Sequence, residues 1–253
     1  KRIFTVKATI LDSIVKKADS GKKQLSILID PDKVNKSSIN RLCEVADEIS
    51  ADFFLIGGSL LTDGDLEETI LLIKEKSKLP CIIFPGSSNQ LSPKADAILF
   101  LSLLSGRNPE MLIGQQVIAA PYIKQANIEA IGTAYLLIES GSQTTASYMS
   151  NSNPIPANKA EIAASTALAG DYMGMQLIYL DAGSGAKNVV PEEMIKKVKS
   201  YTKKPLFIGG GINTANKLKA AYEAGADVVV IGNAFEKDEN FAQEISPILK
   251  QFN

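Results

Sequence analysis

Histidine is absent from the 253-residue sequence, and cysteine occurs only at Cys43 and Cys81. The lack of histidine excludes Ser-His-Asp and Cys-His nucleophile systems and histidine-ligated zinc, so acid–base chemistry falls to carboxylates, lysine or tyrosine. Any bound metal is then expected to be a hard ion with oxygen ligands, such as Mg²⁺. Both cysteines lie in apolar segments, which favours buried thiols in a reducing compartment over a disulfide.

Long apolar runs and a strong charge imbalance are also missing. No run approaches the roughly 18 apolar residues that span a bilayer, and no secretory signal is visible, so we expect a cytoplasmic protein. The formal net charge is −1, which gives no indication of nucleic-acid binding. A hydrophobic content of 45% over 253 residues is typical of one large domain, so we interpret residues 1–253 as a single unit.

Three short apolar runs in the C-terminal half each lead into glycines. The runs are 176–181, 206–208 and 228–231, and the turns after them are Gly183-Ser184-Gly185, Gly209-Gly210-Gly211 and Gly232-Asn233. Apolar runs that alternate with helical stretches predict βαβ units and a parallel sheet. Glycines at strand ends expose backbone N–H groups, which suit a phosphate, as in the loops after strands seven and eight of a (β/α) barrel. A plain role in tight turns is the alternative, but three such turns in succession favour a phosphate cup.

Earlier runs complete the strands of a (β/α)8 TIM barrel. The segment 89–96, after the third strand, is too short and polar for a barrel helix, so we expect a loop there. An amphipathic helix over 10–18 precedes the first strand and is expected to close the lower end of the barrel. The polar stretch 139–158 is long enough to be a lid or substrate loop. The five earlier strands are predicted at 24–29, 52–56, 81–84, 97–101 and 128–138.

Oxygen ligands follow the first two strands. Pro31 restrains Asp30 to an extended backbone, which directs its carboxylate to the top of the barrel. This position favours a metal role for Asp30, whereas a helix cap and a solvated turn explain Asp32 and Lys33 equally well. Ser59, after Gly57-Gly58, offers a further oxygen. Because the strand ends of a barrel open on one face, a metal-bound anion here would face the phosphate cup.

The helix predicted over 109–125 is apolar on more than one face. We expect it either to be sandwiched between subunits or to line an apolar channel, with core packing as the alternative for any single residue. Together with the missing third helix, it favours a substrate with a long lipid tail. Asp181, at the end of strand six, is the candidate base inside the cup.

In their order, these motifs resemble the geranylgeranylglyceryl phosphate synthases over about residues 24 to 236. Each glycine turn alone is a weak signal, but the ordered set is specific, and the longer forms of that family, with an extended loop after strand five, resemble it most. The matching motifs are 29–33, 57–59, 84–87, the loop from Gln143-Thr144-Thr145 to Pro154-Ile155-Pro156, 179–185, 209–211 and Gly232-Asn233.

This resemblance implies a Mg²⁺-dependent prenyltransferase on a modified barrel whose third helix is replaced by a loop. The enzyme would join sn-glycerol 1-phosphate to a polyprenyl diphosphate, with geranylgeranyl as the expected chain, and would release diphosphate. Asp30 and Ser59 would bind the metal. The family also implies a homo-oligomer, a dimer or a hexamer, and membrane contact that is peripheral at most. The implied glycerol 1-phosphate site comprises Tyr179, Leu180, Asp181, Ala182, Gly183, Ser184, Gly185, Gly210, Gly211, Gly232 and Asn233.

Asp181 departs from the family, which usually has glutamate at this position. Aspartate has the same chemistry with a shorter reach, so its role as the base is the weakest part of the resemblance. Two other functions stay open: a barrel isomerase or aldolase acting on a sugar phosphate, and a non-catalytic scaffold that binds a phosphometabolite. An isomerase or aldolase is disfavoured because no strand contains a lysine that could form a Schiff base. The non-catalytic scaffold is favoured only by the aspartate at position 181.

Overall fold

In the computed structural model, which describes residues 9–238 and 240–252, eight parallel strands close into one barrel in chain order. The ring is completed by β8, which pairs with β1. The predicted (β/α)8 TIM barrel is therefore confirmed. The strands are β1 (Gln24–Ile29), β2 (Phe53–Ile56), β3 (Cys81–Ile83), β4 (Ala97–Leu103), β5 (Glu129–Leu137), β6 (Leu177–Asp181), β7 (Leu206–Gly209) and β8 (Val228–Ile231).

Helices surround the barrel. A single-turn 3-10 helix (Pro31–Lys33) follows β1, and a π-helical segment (Glu110–Gly114) leads into the fourth α-helix. None of the described helices is long and apolar enough to cross a membrane. The helices are α1 (Ile10–Asp19), α2 (Lys36–Glu48), α3 (Leu66–Lys76), α4 (Gln115–Ala126), α5 (Thr145–Met149), α6 (Ala160–Tyr172), α7 (Glu192–Tyr201), α8 (Ala215–Ala224), α9 (Ala234–Lys237) and α10 (Phe241–Phe252).

Alternate residues of each strand face two different apolar layers, because successive side chains of a strand point to opposite sides. In β6, Leu177 and Tyr179 belong to the cluster inside the barrel. Ile178 and Leu180 belong to the cluster between the strands and the helices. The same alternation places Asp181 on the inner face, at the upper end of the strand.

The helix α1 closes the lower end of the barrel, as predicted. Ile14 is 2% exposed and packs into the inner cluster. Glu129, at the start of β5, accepts hydrogen bonds from the amides of Ile10 and Leu11 at 2.8 and 3.1 Å. A carboxylate at this position satisfies amides that have no partner within the helix. Gln24 Nε2 donates to the Ile14 carbonyl at 3.1 Å, which ties α1 to β1 as well.

The ladder between β3 and β4 is the shortest in the barrel. The β3–β4 ladder contains the pairs Ile82–Ala97 and Ile83–Ile98 only, whereas β4 pairs with β5 along its full length. No helix lies between β3 and β4, so the predicted replacement of the third helix by a loop is confirmed. Gln90 in this loop accepts from the Gly86 amide at 2.9 Å and donates to the Gly58 carbonyl at 3.0 Å. This side chain joins the ends of β2 and β3 where the helix is missing.

The polar stretch 139–158, predicted as a long loop, contains the short helix α5. Thr144 and Ser147 form a capping box: the Thr144 side chain accepts from the Ser147 amide, and the Ser147 hydroxyl accepts from the Thr144 amide. Reciprocal capping satisfies amides that a short helix leaves without partners. Thr145, Ala146 and Met149 of α5 line the cavity at the barrel top.

Candidate functional site

The carboxyl ends of the strands open into a cavity of about 1410 Å³. Most of the residues proposed from the sequence lie on its wall. Leu180, Ala182 and Gly183 do not. The side chains of Leu180 and Ala182 lie in the outer apolar layer, so only their backbone groups could contact a substrate, and their role in the phosphate site stays a prediction. The wall includes Asp30, Ser59, Tyr179, Asp181, Ser184, Gly185, Gly210, Gly211, Gly232 and Asn233.

Asp181 is a buried carboxylate held by two donors. It is 6% exposed, and its Oδ2 accepts a hydrogen bond of 2.6 Å from Tyr135 Oη. The Gly183 amide donates to Oδ1 at 2.7 Å. Burial raises the pKa of the Asp181 carboxyl, while the two hydrogen bonds stabilise the carboxylate and act in the opposite direction. A carboxylate with a raised pKa and a fixed orientation is suited to accept a proton.

Tyr179 lies in an aromatic cluster beneath the glycine turns. Its ring is stacked on Phe84 with centroids 5.2 Å apart and lies edge-on to Tyr135 at 5.5 Å. A Cβ at position 209 would lie 2.4 Å from Tyr179 Oη, so Gly209 leaves the space that this hydroxyl occupies. Burial raises the pKa of both tyrosines well above 10.0, so both remain neutral phenols.

The glycine turns after β6 and β7 are in contact with each other. Gly183, Gly210 and Gly211 have φ angles of 92°, 86° and 73°. A Cβ on Gly210 would lie 2.6 Å from the Gly183 carbonyl oxygen. A side chain at Gly210 would therefore be both strained and obstructed, which explains the glycine. Adjacent turns of this kind present backbone amides to an anion.

A lysine that the sequence reading missed holds one of these turns. Lys217 Nζ, in the first turns of α8, donates to the Gly211 carbonyl at 3.1 Å and to Asn213 Oδ1 at 2.8 Å. The carbonyl of Gly211 thereby has a hydrogen-bond donor. The contact fixes the β7–α8 turn and places a positive charge beside the predicted phosphate cup. The sequence signal for this contact was a lysine at the third position of α8, the helix that follows the glycine turn.

Asp30 and Ser59 lie at the ends of β1 and β2. Asp30 Oδ1 accepts from the Asp32 amide at 3.2 Å, and Oδ2 forms an ion pair with Lys33 Nζ at 2.7 Å. A Cβ on Gly58 would lie 3.0 Å from Asp30 Oδ1, so this glycine leaves space beside the carboxylate.

The Asp32 carboxylate binds the turn after β2 and has a structural role. Its carboxylate accepts from the amides of Thr62 and Gly64 at 2.8 and 2.7 Å. These hydrogen bonds lower the pKa of the carboxyl, because they stabilise its charged form. The turn explanation that the sequence left open therefore holds for Asp32.

The donor set at Asp30 and Ser59 fits a hard cation that receives few ligands from the protein. A carboxylate and a hydroxyl supply oxygen, and Mg²⁺ commonly completes its shell with water and phosphate oxygens. Within residues 9–238 and 240–252, no group of three or more acidic, cysteine or histidine side chains could hold a metal. Gln90 contributes indirectly, because it fixes the Gly58 carbonyl next to Ser59.

An apolar arm of the cavity is formed by inward-facing residues of β4 together with residues of the π-helical segment and α4. Gln116 stabilises this wall: its Nε2 donates to the carbonyls of Leu101 and Met111. On the outer side, Ile113 of the π-helical segment and Val117 and Tyr122 of α4 are 61%, 64% and 58% exposed. One face of α4 thus lines the cavity, while packing of the helix between subunits stays a prediction. The arm is lined by Leu99, Leu101, Leu103, Met111, Ala119 and Ile123.

Comparison with known proteins assigns the chain to a family. Residues 19–251 match the PcrB family. The chain belongs to the PcrB family. Its PcrB relatives include the geranylgeranylglyceryl phosphate synthase of Spirosoma linguale, which is 45% identical over 234 residues, or 92% of this chain and 94% of that protein. The synthase of the same name from Thermococcus kodakarensis is 46% identical over 212 residues, with 83% of each chain covered.

A solved structure agrees with this assignment of the PcrB chain. The crystal structure of (S)-3-O-geranylgeranylglyceryl phosphate synthase from Thermoplasma acidophilum, in complex with its substrate sn-glycerol-1-phosphate, superposes with a TM-score of 0.88. That protein is 38% identical, and the match covers 96% of this chain and 98% of that chain. The resemblance predicted from the ordered motifs is therefore confirmed.

Proposed function

We propose that this PcrB-family protein is a prenyltransferase that joins sn-glycerol 1-phosphate to a polyprenyl diphosphate through an ether bond. Geranylgeranyl diphosphate is the expected donor, and diphosphate is released. The observation that carries the proposal is a single cavity that combines glycine turns, the buried Asp181 carboxylate and an apolar arm. Close relatives named for this activity, and a related structure that holds sn-glycerol 1-phosphate, support it.

The phosphate of the acceptor would bind at the turns that end β6, β7 and β8. Backbone N–H groups at these turns form neutral donors for a dianion, and the Lys217 charge lies behind the β7 turn. The glycerol would then extend toward Tyr179 and Asp181 on the inner face of β6. The phosphate site would comprise Ser184, Gly185, Gly210, Gly211, Gly232 and Asn233.

The charge of the cavity wall supports a metal requirement. Lys33 is the only cationic side chain among the described residues that line the cavity. A diphosphate would be repelled by the excess of carboxylates unless a cation accompanied it. Asp30 and Ser59 would hold Mg²⁺, which would neutralise the leaving diphosphate. The carboxylates on the wall are Asp30, Asp32, Asp63, Asp65, Glu67 and Asp181.

Asp181 would act as the base for the acceptor. As the 3-hydroxyl oxygen of glycerol forms its bond to C1 of the prenyl chain, the C1–O bond to diphosphate breaks and the hydroxyl proton passes to the Asp181 carboxylate. Tyr135 and Gly183 hold that carboxylate in one orientation. The family glutamate is replaced here by a shorter acid, which these two donors keep at the cavity wall.

The prenyl chain would lie in the apolar arm along β4 and α4, with its diphosphate toward Asp30. We further propose that the protein is a homo-oligomer, a dimer or a hexamer, because the π-helical segment and α4 expose the apolar or aromatic side chains of Ile113, Val117 and Tyr122. Sedimentation of the purified protein tests this association. A sedimentation profile of a monomer at micromolar concentration would contradict it.

One assay separates the proposed function from its alternatives. The protein is mixed with Mg²⁺, sn-glycerol 1-phosphate and geranylgeranyl diphosphate, and both the ether lipid and free diphosphate are measured. Formation of both products in equal amounts, abolished by chelation of the metal, is the expected result. Binding of glycerol 1-phosphate without product would favour a non-catalytic scaffold. Neither binding nor product would favour an isomerase or aldolase acting on a different phosphate.

A further inference from the structure

Lys33 is paired with an oxygen of Asp30, the carboxylate that we propose as a metal ligand. Its Nζ lies 2.7 Å from Asp30 Oδ2, across the 3-10 turn that Asp30 caps. The Lys33 side chain is 45% exposed and that of Asp30 is 21% exposed. The pair is therefore accessible from the cavity, and its long, flexible lysine stem can change partners.

The same lysine is the only positive side chain that the described cavity wall offers to an anionic donor. A lysine ammonium is a compact charge with three donors, which suits a diphosphate oxygen. While it is paired with Asp30, its charge is neutralised. A divalent cation at Asp30 would release the ammonium, because the doubly charged ion interacts more strongly with the carboxylate.

We infer that Lys33 is a second anchor for the donor diphosphate, held on Asp30 until a divalent metal displaces it. The inference rests on the proposed function for the identity of the anion. It assigns Lys33 two states: a stand-in cation on Asp30 in the metal-free protein, and a ligand of the diphosphate in the loaded protein. Metal and diphosphate binding are thereby coupled, because the metal frees the charge that the diphosphate needs.

The first state is tested by titrating Mg²⁺ into the full-length protein without substrates and measuring the heat of binding. Lys33→Met removes the competing charge, so its Mg²⁺ affinity should be about two- to fivefold higher than that of the wild type, the range of an exposed ion pair. Lys36→Met is the matched control, because Lys36 lies three residues further along and does not line the cavity. It should bind Mg²⁺ as the wild type does. An unchanged or weaker affinity in Lys33→Met overturns the inference.

The second state is tested with inorganic diphosphate at saturating Mg²⁺. Lys33→Met should bind it about tenfold more weakly, as expected for the loss of a charge-assisted hydrogen bond, while Lys33→Arg retains most of the affinity. The affinity for glycerol 1-phosphate should not change in either variant. Equal diphosphate affinity in Lys33→Met and wild type overturns the anchor role.

Different results would contradict the proposed function and the anchor role of Lys33. If the wild type binds Mg²⁺–diphosphate but forms no ether lipid, the proposed function fails, and the Lys33 comparisons still decide the anchor role. If the wild type forms ether lipid and Lys33→Met binds diphosphate normally, only the anchor role fails. Absence of any diphosphate binding by the wild type contradicts both.

Discussion

Tyr135 Oη donates a hydrogen bond of 2.6 Å to Asp181 Oδ2 and so joins β5 to β6 inside the cavity. The register of the two strands places Tyr135 opposite Tyr179, and its hydroxyl reaches the inward-facing residue two positions further along. Burial raises the pKa of the Tyr135 phenol, so the shared proton stays on the tyrosine. Together with the Gly183 amide, which donates to Oδ1, this hydrogen bond holds the carboxylate in one orientation.

Replacing the buried acid tests its proposed role directly. Asp181→Asn should lower kcat by about 10²- to 10⁴-fold, the range for loss of a general base, with a far smaller change in glycerol 1-phosphate affinity. Steady-state kinetics and calorimetry of acceptor binding measure the two effects. Wild-type turnover in this variant would remove Asp181 from the mechanism. Asp181→Glu keeps the acid and should retain measurable activity.

The same substitution has an expected effect on stability. The pKa of Asp181 is raised in the folded protein, so the folded state binds the proton more readily than the unfolded state does. The contribution of Asp181 to the free energy of unfolding therefore decreases as the pH rises through the interval between the ordinary pKa and the raised one. At neutral pH the buried charge is unfavourable, and Asp181→Asn should have a melting temperature no lower than that of the wild type. A clearly lower melting temperature would indicate that the carboxylate stabilises the fold.

Tyr135→Phe should move the acidic limb of the pH profile. The Tyr135 hydrogen bond lowers the pKa of the Asp181 carboxyl, so its removal raises that pKa further. The base is then protonated at a higher pH, and kcat/KM should begin to fall at a higher pH than in the wild type. Tyr222→Phe is the control, because Tyr222 Oη donates to the Gln24 carbonyl, away from the cavity. Identical acidic limbs in Tyr135→Phe and wild type would contradict the proposed role of Asp181 as the base.

Gly210→Ala should disrupt the acceptor site rather than the whole fold. Its Cβ would lie 2.6 Å from the Gly183 carbonyl oxygen, so the turns of β6 and β7 would have to separate. We expect glycerol 1-phosphate affinity to fall by about tenfold or more, from the loss of one or more amide hydrogen bonds. Gly174→Ala is the matched control: its φ of 89° is also positive, but no atom lies within 4 Å of the added Cβ. Equal affinities in the two variants would contradict a phosphate site at these turns.

Lys217→Met should weaken acceptor binding with little effect on the chemical step. The variant loses the donor that fixes the Gly211 carbonyl, together with a charge near the phosphate. KM for glycerol 1-phosphate should rise by about threefold to tenfold, while kcat and KM for the donor stay near wild type. Lys219→Met, which removes a lysine paired with Glu223 on the same helix, is the control. A fall in kcat with unchanged KM would contradict the assigned role.

Local apolar patterns were sufficient to predict the barrel, because each strand is a short apolar run bounded by turns. β1 was predicted with the limits that the structure has, and the polar loop after β3 was predicted because it cannot cover a barrel. Motif order along the chain was sufficient for the family. The metal role of Asp30 and Ser59 stays a prediction, since no observation of the structure tests it.

Features that depend on distant residues were missed. The role of Tyr135 follows from the register of β5 against β6, which a linear pattern does not contain. Gln90 acts across two loops, and the π-helical segment before α4 is supported by Gln116, whose side chain reaches the Met111 carbonyl. Strand alternation, which is local, does indicate that the Leu180 side chain belongs to the outer apolar layer.

The short β3–β4 ladder has a consequence for local motion. Because only two residue pairs join these strands and no helix connects them, we expect this seam to open more readily than the others in the barrel. Amide hydrogens of β3 should therefore exchange with deuterium sooner than those of β5, which is paired along its length. A lipid product that is longer than the width of the barrel would also leave through this seam. Release of the product and local opening of the barrel would then occur at the same place.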